Sequence, residues 1–82
     1  MKVYTLTETN ETRFSINRTL FRKKEDAVLE MIKRKDAIMM NRNDLEIMYK
    51  TENHIDIGWI NDDIDESDEL YVMLYVTEDK VY

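Results

Sequence analysis

Asp63, Asp65 and Ser67 stand at the first, third and fifth positions of a calcium-loop spacing, where side-chain oxygens converge on one hard cation. Two later positions break the pattern. The sixth is Asp68, where the loop needs Gly for its sharp turn, and the twelfth is Leu74, where a bidentate Glu closes the cage. His54 is the single histidine and the first candidate for a general base. It has no obvious nucleophile: the chain lacks cysteine, and Ser15 and Ser67 lie far from it with no elbow or triad spacing. One glycine cannot build a phosphate-cradling loop. Carboxylates are plentiful, but paired acid–base work needs a cleft that raises the pKa of one of them, and no cleft is legible here. The expectation is therefore a chain that is not an enzyme, with no catalytic residue, no metal and no cofactor.

The second chemical feature is aromatic: Tyr4, Tyr49, Trp59, Tyr71, Tyr75 and Tyr82. Aromatic rings on a sheet can stack nucleobases, but such sites need basic neighbours, and Trp59 and Tyr71 flank the most acidic stretch of the chain. Trp59, Tyr71 and Tyr75 suit a protein–protein anchor better, because binding energy concentrates on large aromatic side chains.

Charge is distributed unevenly. Residues 1–42 hold ten Lys/Arg and six Asp/Glu, whereas residues 43–82 hold two and twelve, so the halves carry +4 and −10. The imbalance peaks between Asn61 and Glu69, where Asp62, Asp63, Asp65, Glu66, Asp68 and Glu69 face no basic residue. Close like charges repel, which predicts an extended, solvated loop unless a cationic partner neutralises it. Direct nucleic-acid binding is disfavoured, since it depends on Lys and Arg meeting phosphates. A partner protein with a basic surface is favoured, such as a nuclease or another nucleic-acid-binding protein. Arg22, Lys23, Lys24, Lys33, Arg34 and Arg42 form a basic stretch that is read as a solvated helix face or a salt-bridge partner for the acidic half.

The elements that must position these residues follow from hydrophobic period. Val3-Tyr4-Thr5-Leu6-Thr7 alternates and is rich in β-branched residues, which predicts a strand over 2–8. A second strand is expected over 13–20 and a hairpin between the two. Val28, Met31, Ile32, Lys35, Ile38 and Met39 then fall on one helical stripe, predicting an amphipathic helix over 24–41 with Asn41 and Asn43 as stops. Leu45, Ile47 and Tyr49 alternate, as do Ile55, Ile57 and Trp59, giving a further hairpin with Thr51-Glu52-Asn53-His54 as its turn and Gly58 as a candidate bulge. Residues 70–76 are apolar on both faces, as in a central strand, with Tyr71, Met73 and Tyr75 expected on the face opposite Leu70, Val72, Leu74 and Val76. Eighty-two residues make one domain, 1–82. The expected fold is α+β, one amphipathic helix packed on a four- to five-stranded, mostly antiparallel sheet in the order β-β-α-β-β-β. No signal-peptide run or membrane-length apolar stretch is found, and cysteine is absent, so the chain is expected to be cytoplasmic without membrane contact.

An N-terminal strand, then Phe21 with Glu25-Asp26-Ala27 opening a helix, then acidic hairpins resembles small acidic proteins encoded by phages and mobile elements, among them the anti-CRISPR inhibitors. That resemblance implies a stoichiometric inhibitor that acts by binding, with DNA mimicry as one route. On this reading Asp62, Asp63, Asp65, Glu66, Asp68 and Glu69 stand in for backbone phosphates, and Trp59, Tyr71 and Tyr75 supply the apolar anchor. The alternative is a small homodimeric assembly module joined through the face of the 70–76 strand.

Overall fold

The computed structural model describes residues 2–11, 13–60 and 70–80. The six carboxylates expected to bind a partner, Asp62, Asp63, Asp65, Glu66, Asp68 and Glu69, lie outside the described residues, as does Ser67. Strands β1 (Lys2–Asn10) and β2 (Ser15–Phe21) form the first hairpin, helix α1 (Lys24–Met39) follows, and β3 (Leu45–Thr51) and β4 (His54–Trp59) form the second. The last strand, β5 (Leu70–Lys80), inserts between the two hairpins, so the sheet runs β2-β1-β5-β4-β3, antiparallel throughout. The expected α+β order is the one observed. β5 takes the centre, hydrogen-bonded to β1 and β4 along its two edges, with Val72, Leu74 and Val76 facing the helix and Met73 and Tyr75 on the opposite side.

The helix starts without a side-chain cap at Lys23, but Glu25 and Asp26 put negative charge on its first turn, where the dipole favours it. It stops at Met39, and Asn41 takes a left-handed φ of 58°, a conformation its short polar side chain tolerates. Ala27 and Met31 are fully buried, with Val28, Ile38 and Met39 packed at the margin. They meet Leu6, Ile55, Ile57, Val72, Leu74 and Val76, which share one side of the sheet. The helix lies mainly over β5, β1 and β2. No helix among the described residues is long and apolar enough to cross a membrane.

Three local features depart from the sequence reading. The first strand runs on to Asn10 and the second starts only at Ser15, with Phe14 before it at a φ of 53° and 91% exposed. That places a bulky side chain where Gly or Asn is the usual occupant. The second concerns Tyr71. Ile57 pairs with Val72 but Gly58 pairs with Leu70, so the strand pair skips Tyr71. The bulge expected at Gly58 is there, and it takes Tyr71 out of the Met73–Tyr75 face on which alternation had put it. The third is in β3, where the register shifts between Ile47 and Tyr49, so Tyr49 lies on the Asp56 face, opposite Leu45 and Ile47 with which alternation had grouped it.

Candidate functional site

The bulge delivers Tyr71 to the helix side, where its ring lies 4.9 Å from that of Trp59 and both pack on the core. Arg42, in the α1–β3 connection, sets its guanidinium over the pair, 5.5 Å from the Trp59 ring and 5.6 Å from Tyr71. Asp44 holds that guanidinium with two bonds of 2.8 Å, from Nε and Nη2. The planar fork of an arginine matches a carboxylate in this way while its flat face stacks on rings. The Asp44 bonds, and then a bond to Tyr71, hold the Arg42 proton well above the ordinary arginine value. Reciprocally, Arg42 holds the Asp44 carboxyl below its ordinary range. The Asp44 carbonyl accepts from the Ile60 N–H at 2.8 Å, so this clip also fastens the residue that leads into the acidic segment.

The other side of the sheet is not covered by the helix. Strand register lays out its side chains in rows. Leu20, Thr5 and Thr77 form one, and Arg18, Thr7, Tyr75, His54 and Thr51 the next. Ile16, Thr9, Met73, Asp56 and Tyr49 form the third. His54 is half-buried and stacked on Tyr75 at 5.9 Å, with Tyr49 edge-on at 5.5 Å. Its Nε2 lies 2.6 Å from Asp56 Oδ1, and since the carboxylate accepts, Nε2 carries the hydrogen. His54 is thus the first residue of β4, held by two rings and a carboxylate, rather than the turn residue read from sequence. No serine, threonine or tyrosine hydroxyl among the described residues is bonded to it by a hydrogen bond.

The three expected aromatic anchors therefore separate. Trp59 and Tyr71 come together beside both ends of the acidic segment, whereas Tyr75 lies on the opposite face. The basic stretch also divides. Arg34 turns inward, donating from Nη2 to Thr19 Oγ1 at 3.0 Å and lying 3.8 Å from Glu8 and 3.6 Å from Glu30. Arg42 is absorbed by the clip. What remains on the helix surface is Lys33, with Arg22, Lys23 and Lys24 before and at its start, Lys24 being paired with Glu52 at 3.3 Å. Arg42 and Asp44 were missed as partners of Trp59 because a guanidinium–ring stack leaves no mark on hydrophobic period.

Among the described residues no group of three or more His, Cys, Asp or Glu is placed to hold a metal ion. A cavity of about 450 Å³ opens beside the start of α1, lined by Lys24, Glu25, Val28, Leu29 and Glu52, its cation and Glu52 already neutralising each other. No family model matches the chain, and no curated protein or solved structure is significantly similar to it.

Proposed function

We propose that the chain is a non-enzymatic binding protein that occludes a basic, nucleic-acid-binding surface of a partner protein. Where its charge resides supports this reading. Outside residues 61–69, twelve acidic side chains are matched by twelve basic ones, so the entire net charge of −6 belongs to that one segment. Acidity acquired only for solubility would be spread over the surface. Six carboxylates in nine residues instead offer a density that Lys and Arg clusters of a phosphate-binding surface attract, with opposite potentials also speeding encounter. Both residues next to the segment are tied down: Ile60 to the Asp44 carbonyl, and Leu70 in register with Gly58. Trp59 and Tyr71 stand at those two anchor points as the apolar complement to charge. Tyr75, on the other face, is left out of this surface. The finer form of the proposal, drawn from the resemblance, is a phage-encoded inhibitor of a host defence nuclease that mimics DNA.

The test is capture from a host lysate at low and at high salt, followed by DNA retention by the captured protein. The wild-type chain should hold a nucleic-acid-handling protein at low salt, release it at high salt and prevent it from retaining duplex DNA. A variant with Asp62, Asp63, Asp65 and Asp68 changed to Asn, and Glu66 and Glu69 to Gln, should do neither. Capture that is indifferent to salt, or undiminished in the six-amide variant, would sink the proposal.

A further inference from the structure

A second surface is not used by that reading: the uncovered side of the sheet. Water-facing sheets normally alternate to polar side chains, but this one exposes Ile16 at 61% and Leu20 at 68%, and carries Met73, Tyr75 and Tyr49 across its middle and far edge. We infer that this face packs against the same face of a second copy of the chain, sheet on sheet, about a two-fold axis parallel to the strands.

Charge and register select both the occupant and the axis. An axis along the strands and above the central β5 reverses the strand order while keeping each row in place, so β2 of one copy lies over β3 and β4 of the other. Ile16 then covers the partner's Tyr49. Met73 meets the partner's Met73, and Tyr75 the partner's Tyr75, on the axis. Arg18, exposed and without an ion pair among the described residues, comes within reach of the partner's Asp56, and the symmetry repeats the contact. The other in-plane axis, across the strands, would stack β2 on β2 and bring Arg18 toward the partner's Arg18. Like charges disfavour it. Five strands about 4.8 Å apart and roughly six residues long make a face of about 24 by 20 Å, so a pair would remove about 1,000 Å² of projected surface, where specific interfaces begin. A face that is complementary to itself under one two-fold axis is what an isologous dimer requires.

Sedimentation velocity over a concentration series tests this. The wild-type chain should show a reversible monomer–dimer equilibrium. Arg18→Asp and Asp56→Lys should each raise the dimer Kd by about tenfold or more, and the two together should recover much of the loss. Ile16→Lys should leave a monomer whose circular-dichroism melt matches the wild type at concentrations well below the dimer Kd, because Ile16 is exposed within a single chain and its loss touches no core contact. The six-amide variant should dimerise like the wild type, so this inference and the proposed function fail separately. A wild-type chain that stays monomeric throughout, or a dimer that survives both Ile16→Lys and Arg18→Asp, overturns the inference. So does a different protein bound on this face by a chain that remains monomeric.

Discussion

Two aromatic clusters use the same local device on opposite faces of the sheet. In each, a carboxylate two residues further along the chain holds a nitrogen-bearing side chain against a pair of rings: Asp44 holds Arg42 on Trp59 and Tyr71, and Asp56 holds His54 beside Tyr49 and Tyr75. Their surroundings differ. The Arg42 cluster is backed by Leu45 and the rest of the core, and ties the α1–β3 connection to β4 and β5. The His54 cluster has the sheet beneath it and no element of the described chain above. The same contacts therefore act as a fastener in one place and as a surface in the other. What separates them is the helix, which covers only one side.

The sharpest way to break that contrast is to compare adjacent residues of β5 that point to opposite faces. Leu74→Ala removes a fully buried side chain from the core and should cost about 2–5 kcal/mol in urea unfolding, much of the stability available to an 82-residue domain. Met73→Ala, on the open face, should cost less than about 1 kcal/mol in the monomer. Equal losses would mean that the two faces are equally covered.

A smaller effect should appear at the fastener. The folded state holds the Asp44 carboxyl below its ordinary value of 3.8, so the charged form stabilises the fold above about that pH. That contribution is lost as pH falls through the depressed folded value. Trp59 is the only tryptophan, so its emission reports on the cluster directly. On acid titration the wild-type chain should show a Trp59 transition below pH 3.8 that Asp44→Asn lacks, the variant having the low-pH spectrum already at neutral pH. Coincident titrations would show that Asp44 does not hold the clip.

The smallest change is expected at the hairpin tip. Phe14 holds a left-handed backbone while its side chain is almost wholly in solvent, so Phe14→Gly relieves the strain and forfeits little burial. It should stabilise the chain by about 1 kcal/mol, seen as a modest rise in Tm. A fall in Tm would show that the ring packs on its neighbours more than its exposure implies.

The helix stripe was legible because burial against a sheet selects apolar residues at helical spacing: Met31 is buried and Val28, Ile38 and Met39 pack at the core margin, joined by Ala27 from outside the stripe. The central place of β5 was legible from its long apolar run, and it pairs with β1 on one edge and β4 on the other. Tyr71 was not. Alternation assumes an unbroken ladder, and a single bulge beside Gly58 sends the ring to the side opposite the one that counting gives. His54 was misplaced because the hairpin turn closes in two residues, Glu52 and Asn53, and so admits it to the strand.

The sequence alone determined the element order, the identity of the core stripe and the concentration of the net charge in residues 61–69, because hydrophobic period and charge are properties of neighbours along the chain. Tertiary structure decided which aromatic residues meet, that Arg34 and Arg42 turn inward rather than forming a basic face, and that the helix covers only one side of the sheet. Those outcomes depend on strand register, two bulges and the reach of a single 16-residue helix, which bring together residues that no local pattern connects.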